Sequence, residues 1–328
     1  MLYELIRLID FASQKTGEGK QLTLATIIKT TGSSYRKKGT QMVVAEDQTY
    51  EGALSGGCVE NEVLRQSMKV FRTKESVIFE YDGRYKLGCK GVIHILIEYF
   101  DKSVLHLISN KIAEYQRSRK IFRLGINKDH DMTKACVHFS FGTENCFISR
   151  PRPEVYDETE DLEIHPHYQL VIIGGEFDSV ILARIADQIG IETFLVVKET
   201  FTHALPKTVK VAYLTPEALV NTVKFDEHTA IVLMTHSLSR DLTFLIEMLK
   251  VKSKYMGILG PPSRREMILA DLFNYNESLF LTWQDKLENL HGPVGLSIGA
   301  TTPEEISISI LSEIISVFNH QRLQAPLV

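Results

Sequence analysis

The stretch "YQLVIIGGEFDSVILARIADQIG", residues 168–190, decides the fold class. Its first eight residues are an almost continuous apolar run, which is typical of a strand buried on both faces of a parallel sheet. A helical pattern follows and ends at Gly190. Further strand-like runs then alternate with helical stretches, namely "ETFLVV", "VKVAYL", "TAIVLMT" and "KYMGILG". This alternation predicts right-handed crossovers and an open parallel sheet, which is the α/β class.

The turn inside this stretch stands where a Rossmann fold carries its dinucleotide fingerprint, GxGxxG/A. Gly174 can serve the turn, and Ser179 is small enough for the third position. Glu176 takes the middle position, where its carboxylate would face a diphosphate and its Cβ would block close approach. Lys198 also precedes the acid expected after the second strand. The pattern therefore predicts a Rossmann-like scaffold and argues against ordinary NAD or NADP binding.

Length and composition set the wider frame. The chain has 328 residues, which suggests two domains, and its net charge of −4 gives no reason to expect nucleic-acid or membrane binding. The apolar runs are strand-length, and the amphipathic N-terminus is not a signal peptide, so we expect a cytoplasmic protein. Four cysteines lie apart without a CxxC pair, which indicates neither a disulfide framework nor a zinc site.

A change in composition marks the predicted domain boundary. "RPRPEVYDETEDLEIHPH", residues 150–167, has three prolines and a run of acids, and we interpret residues 151–167 as a linker. Residues 1–150 then form an N-terminal α+β domain, with a β-meander over 21–54 and a helix from about Val59 to Phe71. Residues 168–328 form the C-terminal Rossmann-like domain with its parallel sheet.

Three segments of the C-terminal domain follow predicted strands, at the edge where ligands bind in parallel sheets. "MTHSLSRD" offers a histidine and an acid, "GILGPPSRRE" offers arginines at a helix start, and "GPVGLSIGATTPEE" is a glycine-rich loop before a capped helix. A helix N-terminus with guanidinium groups suits a phosphate. Each segment is equally compatible with an ordinary βα loop. The candidate residues are Gly174, His236, Asp241, Arg264, Gly295 and Gly299.

The loop "TTGSSYRKKGTQ" of the N-terminal domain mixes hydroxyls with cations. Ser33, Ser34 and Arg36 could receive a phosphate through side-chain and backbone donors. Taken alone, this loop is better explained as a solvated basic hairpin tip.

The stretch "LSGGCVENEV" places Cys58 at the start of a helix, directly after Gly56 and Gly57. The glycines leave the backbone open to a ligand, and the positive end of the helix favours a thiolate. Such a thiolate could act as a nucleophile or as a soft metal ligand. Alternatively, the cysteine fills the turn as a small apolar residue. Cys89, in "YKLGCKG", lies in similar surroundings and weakens that alternative.

Taken together, these motifs resemble the XdhC/CoxI family in order and spacing over nearly the whole chain. The resemblance is carried by "TTGSSYRKKGTQMVV", "GALSGGCVENEV", "LGCKGVIHILIE", "MTHSLSRD", "GILGPPSRR" and "GPVGLSIGATTPEEISISILSEI". It implies an accessory protein, not an enzyme, that binds molybdenum cofactor (molybdopterin, with or without a nucleotide extension) and protects it during sulfuration. It further implies delivery to a molybdenum hydroxylase apo-enzyme such as xanthine dehydrogenase, work with a cysteine desulfurase or sulfurtransferase, and a homodimer.

The same resemblance gives the candidate residues a shared ligand. Cys58 would be the thiolate near the molybdenum or its sulfur, with Cys89 in support, and Arg36 with residues 32–34 would hold anionic groups. The Rossmann crevice would meet the pterin or its phosphate. Three motifs of the C-terminal domain depart from the family pattern, at "GGEF", at "VVKET", and at Ser297 and Thr301. Two other functions therefore stay open: a nicotinamide-dependent oxidoreductase, and a cofactor-free protein that recruits a sulfurtransferase or an apo-hydroxylase.

Overall fold

A computed structural model describes residues 2–32, 36–82, 91–130, 133–149, 158–198 and 201–319. The side chain of Cys58 also lies outside this description. The chain divides into two compact units, Met1–Pro166 and His167–Val328, called unit 1 and unit 2 below.

The described part of unit 1 contains two antiparallel sheets and three helices, as the predicted α+β class requires. Sheet A has the strand order β3-β2-β1-β5-β4, and sheet B has the order β8-β7-β6-β9. The elements are α1 (Leu2–Gly17), β1 (Leu22–Thr31), β2 (Gln41–Ala45), β3 (Tyr50–Glu51), α2 (Cys58–Thr73), β4 (Val77–Asp82), β5 (Val92–Tyr99), α3 (Lys102–Ser118), β6 (Phe122–Lys128), β7 (Ala135–Phe141), β8 (Glu144–Phe147) and β9 (Glu158–Ile164).

The antiparallel register of sheet A brings several strand ends to one edge. Thr31, the last residue of β1, is opposite Val92, the first residue of β5, and Val92 is opposite Asp82, the last residue of β4. The start of β2 and the end of β3 point toward the same edge. Helix α2 runs back along the sheet, because Ser67 accepts a hydrogen bond from Thr23 near the opposite edge (3.0 Å). Its first turn therefore also lies at the edge that carries Thr31.

Strand β9 occupies part of the stretch that we interpreted as a linker. Residues Glu158–Ile164 pair with β6 from Lys128 to Phe122, so they belong to sheet B of unit 1. Ile164 is buried and Leu162 packs against the same core, while the residues around them are mostly acidic. The inward positions of this strand alternate with acidic outward positions, and the run of acids made the stretch resemble a linker in the sequence. The first part of the stretch, residues 150–157, lies outside the described residues.

Unit 2 has the predicted Rossmann-like architecture. Its six strands are all parallel, in the order β12-β11-β10-β13-β14-β15, which is the strand order 3-2-1-4-5-6 of dinucleotide-binding folds. Two apolar cores cover the two faces of the sheet, called sheet C. The elements are β10 (Gln169–Ile173), α4 (Phe177–Gln188), β11 (Glu192–Val196), β12 (Lys210–Ala212), α5 (Pro216–Thr222), β13 (Thr229–Leu233), α6 (Leu238–Met248), β14 (Tyr255–Ile258), α7 (Pro262–Tyr275), α8 (Glu277–Thr282), α9 (Gln284–Glu288), β15 (Leu290–His291) and α10 (Pro303–Phe318).

The helices of both units have the dimensions of ordinary globular elements. The helix α3 has 17 residues. Across the described parts of the chain, none of the helices combines the length and the apolarity that crossing a bilayer needs.

Glu98 is a fully buried carboxyl in the core of unit 1. It lies on β5 and accepts hydrogen bonds from the backbone N–H of Val137, at 3.2 Å from Oε2, and from the hydroxyl of Ser149. Burial raises its pKa to about 8, although the two hydrogen bonds act in the opposite direction. The carboxyl is therefore protonated at neutral pH. The run "GVIHILIEYF" is mostly apolar, so the sequence predicted a strand here and did not indicate a buried acid.

We predict that Glu98→Gln stabilises the protein more at pH 8 than at pH 5. In the wild type, the unfolded chain ionises this carboxyl above about pH 4.5 while the folded chain keeps its proton, so stability falls until about pH 8. The amide removes this loss, and the gain in free energy of unfolding should be larger at pH 8 by roughly 2–4 kcal/mol. Urea denaturation at both pH values measures it. The exposed Glu75→Gln serves as control, and an equal gain for Glu98→Gln at both pH values would contradict the assignment.

Candidate functional site

The edge of sheet A brings together the motif-bearing segments of unit 1. The segment containing Arg36 follows the end of β1, and the loop Gly52–Gly57 connects β3 to α2. Strands β4 and β5 end and begin at the same edge, and the segment with Cys89 joins them. Ser33, Ser34 and Cys89 themselves lie outside the described residues, so their predicted roles stay predictions.

The loop before Cys58 is open. Helix α2 begins at Cys58, and Gly57 has a φ of 121°, a conformation that favours glycine. Among the described residues, no heavy atom lies within 4 Å of a Cβ added at Gly56 or at Gly57. The two glycines therefore leave free space around the backbone that leads to Cys58.

The side chain of Glu60 fixes the conformation of this loop. Its side chain is buried and accepts hydrogen bonds from three backbone N–H groups and one hydroxyl: Leu54 N at 2.9 Å, Ser55 N at 2.6 Å, Gly57 N at 2.9 Å and Ser55 Oγ at 2.7 Å. Burial alone would raise the pKa of Glu60, but the hydrogen bonds from Ser55 and Gly57 outweigh it and lower the pKa. Sequence reasoning missed this residue, although a Glu at the third helical position is a capping signal.

Glu60 and Ser55 also change the electrostatic argument for Cys58. The sequence predicted that unpaired N–H groups and the positive helix end act on the thiol. In the structure, Gly57 N already donates to Glu60, and Val59 N donates to Ser55 Oγ at 3.3 Å. The carboxylate of Glu60 further offsets the helix dipole. The helix end therefore favours a thiolate less than the sequence alone indicated.

A cleft of about 650 Å³ lies between the first turns of α1, residues 36–41 and residues 50–53. Three ion pairs neutralise three of the four cations that line it: Arg36–Glu4 at 3.0 Å, Arg7–Glu51 at 2.5 Å, and Lys38–Glu160. Arg36, which we predicted to bind an anion, is thus paired with a carboxylate of helix α1. An anionic ligand in this cleft has to displace Glu4 to reach the guanidinium fork.

In unit 2, Gly174 has a structural reason to be glycine. A Cβ there would lie 2.4 Å from the backbone oxygen of Met234, so a side chain would push apart the ends of β10 and β13. Between those ends is a crevice of about 140 Å³. His236, which follows β13, is exposed in a left-handed conformation with a φ of 54°.

Asp241 and Arg264 bind each other. Asp241 is fully buried and accepts from the guanidinium of Arg264 at 2.5 Å and from the backbone N–H of Thr235 at 3.2 Å. The pair joins the segment after β13 to the start of α7. Burying a paired charge in this way serves the fold, because removing either partner leaves the other without compensation. Both residues therefore already have a structural role, and this role competes with the ligand binding that the sequence predicted for them.

The loop with Gly295 and Gly299 is tied to helix α10. A Cβ on Gly295 would lie 2.4 Å from Ser309 Oγ, and its N–H donates to the buried Glu313 at 2.7 Å. Glu313 also accepts from Tyr255 Oη and pairs with His291 Nδ1 at 2.9 Å. Burial favours a higher pKa for Glu313, but the hydrogen bonds from His291, Tyr255 and Gly295 lower it. Glu313 is a second anchoring acid that sequence reasoning missed.

The N-terminus of α10 is closed by its own side chains. Thr302 Oγ1 accepts from the N–H of Glu305, and the carboxylate of Glu305 accepts from the N–H groups of Thr301 and Thr302. The predicted capping box is present. It occupies the donors that would otherwise face a phosphate, so this helix end is not an open anion site.

No group of three or more His, Cys, Asp or Glu side chains is arranged to hold a metal ion within the described part of the chain. Cys136 and Cys146 are both buried. The suggested metal contact of Cys58 involves a side chain outside the description and stays a prediction.

Comparison with known families explains why these motifs occur together. Residues 16–82 match the model of the XdhC and CoxI family, and residues 170–314 match the model of the XdhC Rossmann domain. The two matches span more than half of the chain. The chain belongs to the XdhC/CoxI family. The resemblance of the motifs is thereby confirmed, and unit 2 carries the family's Rossmann domain.

Similar proteins cover nearly the whole length of this XdhC/CoxI chain. A probable xanthine dehydrogenase subunit from Bacillus subtilis (strain 168) is 27% identical over 90% of this chain and 93% of that protein. The "Molybdenum cofactor insertion chaperone PaoD" from Escherichia coli (strain K12) is 23% identical over 96% of this chain and 89% of its own length. A crystal structure of a xanthine dehydrogenase from Bacillus halodurans superimposes with a TM-score of 0.77 over 97% of this chain and 98% of that chain, at 24% identity, which supports the fold.

We predict that Glu60→Gln loosens the loop before Cys58 and lowers the free energy of unfolding by roughly 1–3 kcal/mol, because a charged acceptor of several buried donors becomes neutral. Since the pKa of Glu60 is lowered in the folded state, its contribution is present above about pH 4.5 and is lost as the pH falls through the folded value.

Urea denaturation and amide exchange of residues 54–58 measure this effect. Glu62→Gln, at a half-buried carboxylate of the same helix that pairs with Arg65, is the matched control and should leave loop exchange unchanged. Unchanged exchange in Glu60→Gln would show that the carboxylate does not hold the loop.

Proposed function

We propose that this XdhC/CoxI protein is a chaperone that binds molybdenum cofactor, protects it, and delivers it to a molybdenum hydroxylase of the xanthine dehydrogenase type. The observation that carries the proposal is the similarity, over 96% of the chain, to a protein named as a molybdenum cofactor insertion chaperone. We further propose that it acts in the cytoplasm as a homodimer and receives help from a cysteine desulfurase or sulfurtransferase during sulfuration.

The donors at the edge of sheet A fit the chemistry of this cofactor. Molybdenum cofactor combines a soft metal–sulfur end with a polar pterin and an anionic phosphate. The open glycines before Cys58 allow close approach of a bulky group, and a cysteine is a soft ligand. The neighbouring cleft supplies cationic side chains, with Arg36 among them. When bound, the cofactor supplies the redox-active metal that the client enzyme uses.

The residues of unit 1 would then share the work. Cys58 would contact the molybdenum or its sulfur, with Cys89 in support. Arg36 would exchange its contact with Glu4 for an anionic group of the cofactor. Glu60 would keep the loop and the start of α2 in place, because its carboxylate fixes three backbone N–H groups. When the cofactor leaves, Glu4 can return to Arg36, so the emptied cleft does not keep an uncompensated charge.

A second function, recruitment of partners without cofactor, is favoured by the contacts in unit 2. Asp241, Arg264 and Gly295 are bound within the fold itself. The same internal contacts are expected in a crevice that no longer binds a ligand. The surface of such a unit could still dock an apo-hydroxylase or a sulfurtransferase. A nicotinamide-dependent oxidoreductase is the weaker alternative, because Glu176 lines the crevice at the start of α4, where a dinucleotide places its diphosphate.

We predict that the wild-type protein, purified from cells that make the cofactor, retains pterin and molybdenum, and that Cys58→Ala loses most of both. The thiol is replaced by a methyl group that cannot bind a soft metal or its sulfur. Fluorescence of the oxidised pterin and elemental analysis measure the retained amounts.

Cys146→Ala provides the matched control, because Cys146 is a buried thiol in the core of unit 1. It should retain as much cofactor as the wild type. Equal retention by Cys58→Ala, or none by the wild type, would refute the proposal. If none is retained but the protein still captures an apo-hydroxylase, the recruitment function replaces it.

A further inference from the structure

The cleft of unit 1 between the start of α1, residues 36–41 and residues 50–53 is large enough for a whole small molecule. Its volume of about 650 Å³ lies within the ~300–1,000 Å³ of small-molecule pockets. Part of its lining is apolar, because four residues of the unit 1 core form its floor. These residues are Leu5, Leu8, Leu124 and Ile164. Charged side chains line the rest, so the cleft suits a ligand that joins an anionic group to an organic body.

Positive charge exceeds negative charge around the cleft. Four cations line it against two carboxylates, which leaves a net charge of +2. Glu160, which pairs with Lys38 from outside the lining, lowers this excess to +1. The remainder is Lys37, which forms no ion pair within the described parts of the chain. The cleft therefore attracts anions. Its charged lining residues are Glu4, Arg7, Arg36, Lys37, Lys38 and Glu51.

Two arginine–glutamate pairs adjoin each other at this cleft. Arg36 pairs with Glu4 at 3.0 Å, and Arg7 pairs with Glu51 at 2.5 Å. Glu4 and Arg7 are three residues apart on α1, so they are neighbours on one face of the helix, with Cβ atoms ~5–6 Å apart. The four charges therefore alternate in sign from residue 36 across α1 to β3, and two guanidinium groups serve one cleft.

Both pairs are exposed enough for a ligand to displace the carboxylates. Glu4 and Arg7 keep 56% of their side chains exposed, and Arg36 keeps 34%. Ion pairs of this kind contribute little to stability, unlike the pair of the fully buried Asp241 in unit 2. A phosphate offers a guanidinium the same two-oxygen contact as a carboxylate. An incoming phosphate can therefore replace each glutamate without disturbing the fold.

We propose that this cleft is a gated site for a diphosphate ester, and that Glu4 and Glu51 form the gate. The two carboxylates hold the guanidinium groups of Arg36 and Arg7 until the two phosphates of a ligand take their place. A single phosphate engages one guanidinium and leaves the other with its glutamate. The alternating charges thus favour a diphosphate over a monophosphate.

The organic part of the ester is assigned from the remaining lining. It covers the apolar floor, which inorganic diphosphate would leave exposed. Tyr50, 46% exposed, lines the cleft and offers a ring on which a base can stack. Lys37 adds a positive charge that neither gate residue neutralises. These features together identify the ligand class as a nucleoside diphosphate.

This inference rests on the proposed function where it names the natural ligand. A molybdopterin with a nucleotide extension contains a diphosphate between its pterin and its nucleoside. Ala53 lines the cleft, and Cys58 follows five residues later, so their Cα atoms lie at most ~18 Å apart. One extended molecule can then contact the cleft and Cys58 together. Glu4 and Glu51 return to the arginines when the cofactor leaves for the client enzyme.

Isothermal titration of the purified full-length protein tests the cleft directly. The probes are cytidine diphosphate, guanosine diphosphate, inorganic diphosphate and inorganic phosphate. We expect a nucleoside diphosphate to bind most tightly, and inorganic phosphate to bind at least tenfold more weakly. Arg7→Gln and Arg36→Gln should each weaken nucleoside diphosphate binding about tenfold, as expected for the loss of one charge-assisted contact.

The gate predicts the opposite effect for its two carboxylates. Glu4→Gln and Glu51→Gln should each tighten nucleoside diphosphate binding at least threefold, because the competitor of the phosphate loses its charge. Glu144→Gln is the matched control. Its carboxylate is 63% exposed and pairs with Lys111 at 2.7 Å in the same unit but outside the cleft. This variant should bind the probes like the wild type.

The glutamate variants keep the test decisive if an arginine variant fails to fold. Three results would each overturn the proposal. They are absence of nucleoside diphosphate binding by the wild type, unchanged or weaker binding in both Glu4→Gln and Glu51→Gln, and inorganic phosphate binding as tight as that of the nucleoside diphosphates.

The chemical form of the retained pterin tests the link to the proposed function. Cofactor retained from cells that make both forms should release a nucleoside monophosphate on acid hydrolysis. Retention of the nucleotide-free form alone would overturn the assignment of the natural ligand. If no pterin is retained, the proposed function fails, while the titration still decides what the cleft binds.

Discussion

The antiparallel register of sheet A is the constraint on which the candidate site depends. Because Thr31, Val92 and Asp82 lie in one row, the segments that follow β1, precede β5 and leave β4 must all begin at the same edge. Helix α2 starts at that edge too, since its later turns pack near Thr23. Residues far apart in sequence, Arg36 and Cys58 among them, are thus positioned by strand pairing and not by local motif structure. A shift of one residue in the β1–β5 pairing would also move every side chain of the displaced strand to the opposite face of the sheet.

Buried and half-buried acids hold the surroundings of both candidate sites. Glu60 fixes the loop before Cys58, Asp241 fixes the segment after β13, and Glu313 fixes the glycine loop beside α10. Glu4 instead neutralises a cation that could face a ligand. This arrangement separates two tasks. Acids that bind backbone N–H groups shape the sites, while acids that bind exposed cations can be displaced by an anionic ligand.

The sequence predicted the fold class well because it rests on two local signals, the apolar runs of strand length and the alternation of strands with helices. In the structure these correspond to sheet C and its two covered faces. Strand β9 was missed because its outward positions are acidic and proline precedes it. The site was harder to predict, since the partners of Arg36, Asp241 and Arg264 come from tertiary contacts. Glu4 is 32 positions from Arg36, and only the folded chain pairs them. Glu60 alone carried a local signal that could have been read.

The central claim is that the edge of sheet A holds the cofactor. Hydrogen–deuterium exchange of the cofactor-loaded protein against the same protein after removal of the cofactor tests this claim most directly. Residues 36–41 and 52–60 should exchange more slowly together in the loaded form, because a ligand at this edge would order both segments. Protection confined to unit 2, with these two segments unchanged, would contradict the account.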